Sequence, residues 1–111
     1  MAGRDERQHE FFVDLPEGGD ALRVRFDVDR GQVTAFTVQY EIWRDERWLP
    51  VVRYDSAHQQ PHRDTLDRSG KVVAKDWLPA GISLNVAMQQ AIRDLKSNWR
   101  AYLAAFERDL S

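Results

Sequence analysis

The chain has 111 residues, a length that supports one hydrophobic core but not two. Hydrophobic residues make up 42% and charged residues 31%, with 16 basic and 18 acidic side chains interspersed along the chain. The net charge of −2 supplies no long-range pull on nucleic acid or anionic lipid, and the lack of cysteine excludes disulfides, thiolate catalysis and cysteine zinc sites.

Residues 1–9 are polar, with no apolar stretch behind them of the kind a signal peptide needs, and read as a disordered leader. His9 falls within it. Residues 10–111 are expected to form one α+β domain: an antiparallel meander of five or six strands on one long C-terminal amphipathic helix. No run of about 18 apolar residues exists, so no membrane span is expected, and cytoplasmic residence follows by default. A first short strand, Phe11 to Leu15, ends at Pro16-Glu17-Gly18-Gly19.

From Ala21 the chain alternates. Leu22, Val24, Phe26 and Val28 point one way and Arg23, Arg25, Asp27 and Asp29 the other, which makes a strand with one wet face. Phe36, Val38, Tyr40 and Ile42 repeat the pattern opposite Thr37, Gln39 and Glu41. A three-residue loop, Asp29-Arg30-Gly31, would set Val28 against Gln32 and Val24 against Phe36. The next hairpin turns at Arg44-Asp45-Glu46-Arg47, pairing Trp43 with Trp48, Ile42 with Leu49 and Tyr40 with Val51. That register leaves Trp43, Trp48, Pro50, Val52 and Tyr54 on the outer face and places Arg53 on the core side. Pro50 has no amide to donate, so its strand needs an edge or a bulge there. Short strands follow near His62 to Leu66 and Val72 to Leu78, joined by Asp67-Arg68-Ser69-Gly70.

Pro79-Ala80-Gly81 breaks the sheet, and Ser83 suits a helix N-cap. Leu84, Met88, Ala91, Ile92, Leu95, Trp99, Tyr102, Leu103, Phe106 and Leu110 then recur at spacings of three and four, the signature of one long helix. Ser83 to Asp109 would span roughly 40 Å, against strands of about 20 Å. The helix is therefore expected to bend near Ser97-Asn98 or to rest its end on a second chain.

Chemistry-bearing residues concentrate between Arg53 and Asp64. His58, His62, Asp55, Asp64 and Arg63 fall within ten residues of a strand-loop-strand segment. Histidine titrates near neutrality, carboxylates orient it and arginine stabilises a phosphoryl anion, so the set suits metal-free acid–base cleavage of RNA. His58, His62 and one or both aspartates equally suit a divalent ion. The same residues also suit a structural role, with Asp and Ser capping the turn, Pro61 stiffening it and Arg53 paired to Asp55 or Asp64. The His58/His62 spacing is not that of a zinc-protease helix, because Pro61 forbids the helix, and no cofactor motif is found.

Among the tryptophans, Trp99 lies on the helix stripe and is expected in the core, as is Trp77. Trp43 and Trp48 flank an exposed turn carrying Arg44 and Arg47. They suit either cross-strand pairing or the docking of a partner protein or a nucleic-acid base.

The run from Val51 to His58, followed by His62 and the helix, resembles a group of small uncharacterised bacterial proteins. The Tyr54-Asp55 pair ending a strand, with His62-Arg63 after it, is also similar to the TumE-type toxins of bacterial toxin–antitoxin modules. The likeness covers roughly Tyr40 to Leu78. The chain lacks the Gly-rich loop of such toxins and has Asp64 where they tend to carry a second histidine. The resemblance implies a ribonuclease-like toxin, with His62, Arg63 and Asp55 as the transferable positions. Two functions are therefore expected of the sequence. The first is a non-enzymatic interaction module or complex subunit, homodimeric or bound to another protein through Trp43/Trp48 or the helix end. The second is an RNA-cleaving toxin.

Overall fold

The computed structural model describes residues 7–57 and 60–108. Six strands, β1 (Arg7–Asp14), β2 (Ala21–Asp29), β3 (Gln32–Arg44), β4 (Arg47–Asp55), β5 (His62–Leu66) and β6 (Val72–Trp77), precede one helix, α1 (Leu84–Arg108). The strands form one antiparallel meander in the order β1-β2-β3-β4-β5-β6, so β1 and β6 are its two margins. The α+β architecture is as expected. The first strand starts at Arg7, inside the stretch expected to be a leader, and His9 stacks on Phe26 at 4.9 Å between ring centroids.

The β2–β3 hairpin closes on two residues rather than three. Asp29 pairs with Gln32, and Arg30 and Gly31 both take positive φ (53° and 77°), the type I′ geometry that matches strand twist. A register shift then leaves Thr34 extra, so Val24 faces Val38 and Phe26 faces Phe36. From Ala35 onward the partners differ from the expected ones by two residues, while nearer the turn Val28 faces Val33 rather than Gln32. The even displacement keeps the side chains beyond the bulge on their expected face, and before it Val33 takes the core side in place of Gln32 and Thr34.

The β3–β4 hairpin pairs Trp43 with Trp48 and Ile42 with Leu49 as expected, then departs. Beyond the Glu41–Pro50 pair a bulge at Val51 shifts the register by one, and Tyr40 faces Val52. One residue inverts everything downstream. Val52 and Tyr54, expected outside, join the core at 0% and 7% exposure, while Arg53 moves to the outer face.

Ser83 caps α1, its hydroxyl accepting from the Val86 amide at 3.1 Å. The helix packs chiefly on β3, then on β4 and β2. Ala87, Met88, Ala91, Leu95, Trp99 and Phe106 bury against Leu22, Val24, Val38, Tyr40 and Ile42. Trp99 is core as expected, and Gly19 passes so close to its ring that a Cβ there would lie 2.9 Å from it. The β3 strand has 13 residues and runs roughly 41 Å, about the length of the 25-residue helix. Burial therefore extends from Ala87 to Phe106, and neither a bend at Ser97-Asn98 nor a second chain is needed to cover the helix. Among the described residues no helix is long and apolar enough to cross a membrane.

Candidate functional site

With α1 on one side, the opposite side of the sheet carries two adjacent cross-strand rows. One runs Phe12, Arg23, Gln39, Arg53, Asp64, Lys75. The other runs Glu10, Arg25, Thr37, Asp55, His62, Trp77. The helix-side row between them runs Phe11, Val24, Val38, Tyr54, Arg63, Asp76.

This alternation splits the expected catalytic set. His62, Asp64 and Asp55 share the helix-free face, whereas Arg63 points to the helix. His58 lies outside the described residues. His62 Nε2 stands 3.4 Å from Asp64 Oδ2, and His62 Nδ1 lies 3.3 Å from the Gln60 carbonyl oxygen, so both ring nitrogens already face oxygens. The Lys75 ammonium sits 2.9 Å from the other Asp64 oxygen as an ion pair. The Asp64 carboxylate and the imidazole are both almost fully buried, and Trp77 covers His62 edge-on at 5.1 Å. Asp55 Oδ1 accepts from the Ala57 amide at 2.6 Å, an Asx turn that ends β4. The neighbouring Ser56 hydroxyl accepts from the Phe36 amide at 2.8 Å. Among the described residues no group of three or more His, Asp or Glu side chains is placed to hold a metal ion.

Arg63 belongs to a network that sequence reasoning missed. Its Nη1 donates to the Tyr102 hydroxyl at 2.8 Å and its Nη2 to Asp76 at 2.9 Å. Tyr102 and Tyr54 both donate to Asp94 Oδ2, at 2.6 and 2.5 Å, and Asn98 donates to Oδ1 at 2.7 Å. Burial would raise the Asp94 pKa, but the hydrogen bonds from Tyr102, Tyr54 and Asn98 and the nearby Arg63 charge outweigh it and hold the carboxyl below its usual range. Burial first, then the hydrogen bond to Asp94 and that carboxylate's charge, pushes the Tyr102 phenol up to about 12 and raises Tyr54 likewise. The network ties α1 to β4 and β5, and a hollow of about 230 Å³ lined in part by Arg63, Asp76 and Trp77 opens beside it. The available signal was the 3.6-residue spacing that sets Asp94, Asn98 and Tyr102 on one helix face. It became meaningful only once Tyr54 was turned inward.

The helix-free face also displays aromatic surface. Trp43 and Trp48 are 47% and 45% exposed and pack edge-to-face at 5.3 Å, and Phe12 is exposed beneath the Arg23 guanidinium. Trp77, expected in the core, is instead 56% exposed, because it pairs with His62 on the face that α1 does not cover and β6 has no further strand beside it. Of the two arginines at the Trp43–Trp48 turn, Arg44 is held by Asp20 at 3.2 Å and lies 3.8 Å from Glu107. Residues 4–111 match the model of a domain of unknown function, DUF7718. The chain belongs to the DUF7718 family. No curated protein and no solved structure matches this DUF7718 chain.

Proposed function

We propose that the chain is a non-enzymatic protein-interaction module of the cytoplasm, and that its working surface is the helix-free face of the sheet. The observation that carries this reading is the one-sided cover. A single helix lies on one face, while the other keeps Phe12, Trp43, Trp48 and Trp77 about half exposed around a polar centre. Half-exposed tryptophans bordering a polar field are the usual anchors of protein interfaces. The RNA-cleaving alternative is the weaker one. His62 has both nitrogens engaged, and Arg63 and His62, adjacent on one strand, project from opposite faces.

A photo-crosslinking residue at position 48 is expected to capture one defined protein partner in cells, and the same residue at position 96, on the outer side of α1, is not. Hydrolysis of RNA by the purified chain, abolished in His62→Ala with the fold intact, would sink the reading.

A further inference from the structure

Two hollows of about 290 and 340 Å³ join on the helix-free face, sharing Arg25, Thr37 and Asp55. Together they make one shallow groove along β3 from Gln39 to Ala35, roughly 13 Å at the rise of a strand. Its deeper end is lined by Arg23, Arg25 and Arg53 with Thr37, Gln39 and Asp55, three cations to one anion. The arginines differ in how far they are already satisfied. Arg23 makes a two-pronged contact with Glu41 at 3.1 and 3.3 Å, and Arg25 donates twice to Glu10 at 3.2 and 3.0 Å. Arg53 uses only its Nε, donating to Gln39 Oε1 at 2.8 Å. Gln39 is itself fixed, because its amide nitrogen donates at 2.8 Å to the buried Glu41. Among the described residues the two terminal nitrogens of Arg53 have no hydrogen-bond partner, and the carboxylate across the strand, Asp64, is held by Lys75 and His62.

Building on the reading of this face as a binding surface, we propose that the groove holds an extended, acidic segment of the partner protein, with a Glu or Asp carboxylate gripped by the free fork of Arg53. A guanidinium offering two parallel N–H groups matches a planar carboxylate. The Glu41–Gln39–Arg53 relay holds that fork in place before the ligand arrives, which lowers the ordering cost of binding. The length suits about four residues of extended chain. Openness to solvent suits a polypeptide rather than a small molecule, whose site would enclose most of its surface. A nucleic acid is less well served. The chain is net acidic. Among the described residues the exposed ring beside the three arginines is Phe12, and the Arg23 guanidinium already lies over it, so it is not free to stack a base.

The test is titration of the full chain with a capped tetraglutamate peptide, its tetraglutamine counterpart and a single-stranded oligonucleotide, followed by calorimetry and by NMR of the Arg53 Nε–H and Gln39 amide. The glutamate peptide is expected to shift those signals and the glutamine peptide to leave them in place. Arg53→Lys keeps the charge but loses the fork, and is expected to weaken binding about tenfold with an unchanged melting curve. Equal binding of both peptides, tighter binding of the oligonucleotide, or full affinity in both Arg53→Lys and Arg53→Gln would overturn the proposal. Crosslinking from position 48 reports on the face independently. A partner captured there while the glutamate peptide fails to bind removes the groove's role and leaves the interaction module standing.

Discussion

At Asp45 and Glu46 the β3–β4 turn demands two successive left-handed residues, with φ of 53° and 61°. The β2–β3 turn meets the same demand with Arg30-Gly31, where glycine takes one of the two positions at no steric cost. Glu46 has no such freedom, and a side chain there costs on the order of 1 kcal/mol. Glu46→Gly is therefore expected to stabilise the domain by about 1 kcal/mol and to raise Tm by roughly 4 °C, read from thermal unfolding. An unchanged or lower Tm would show that the turn is relaxed. Single residues also mark where the sequence was hard to read. Pro50 announced a bulge or an edge, and the bulge stands immediately after it at Val51. Val51 and Val52 are equally apolar, however, so alternation alone could not say which of them pairs with Tyr40, and the error passed on to Arg53 and Tyr54. The separation of His62 from Arg63 was legible, since neighbours on a strand face opposite ways. Trp77 was not, because its face depends on the β5–β6 register, which sets it beside His62 on the side without a helix.

The helix was the most legible element. Its stripe from Leu84 to Phe106, its cap at Ser83 and its core tryptophan stand as the spacing implied, with Asp109 and Leu110 outside the described residues, because an amphipathic period is set by the chain itself and does not depend on register. Its length was judged against average strands, and β3, at 13 residues, is far from average. What the period could not reveal is the polar attachment through Asp94, whose partners come from β4 and β5. That attachment has a pH signature. The Tyr102 phenol is raised from near 10 to about 12 in the fold, so its contribution is fully present below about pH 10. It is lost as pH climbs toward 12, because the unfolded chain releases the proton first. Asp94 is lowered, so its contribution is present above the ordinary aspartate range and fades as acid neutralises it in the fold. Urea unfolding is expected to show stability falling between about pH 10 and 12, more shallowly in Tyr102→Phe. Superimposable pH profiles for the two proteins would mean that the phenol is not coupled to folding.

Across the whole molecule, a sheet with one helix has two unlike faces and two unlike margins. Its order was legible because each connection is a short turn between neighbouring alternating strands. The use of the bare face was not, since the residues that compose it come from all six strands and meet only in the folded state. The margins carry a consequence of their own. β1 and β6 each offer an open ladder edge, and β6 is exposed along its whole length. The first edge of one molecule laid against the last edge of another is a contact that never closes on itself, so it propagates as a filament rather than ending in a dimer. Charges at Glu10 and Arg7 on one side and Lys75 and Asp76 on the other discourage that stacking. Lys75→Val joins Val72, Val73 and Ala74 into an uncharged β-prone run and removes the counter-charge of Asp64. Thioflavin fluorescence is expected to grow in that variant and to stay flat in the parent chain; equal growth in both, or none in the variant, would show that Lys75 does not guard the edge. The meander is thus an unfinished ribbon, and a few ionic side chains along its hems keep it from being continued by its own copies.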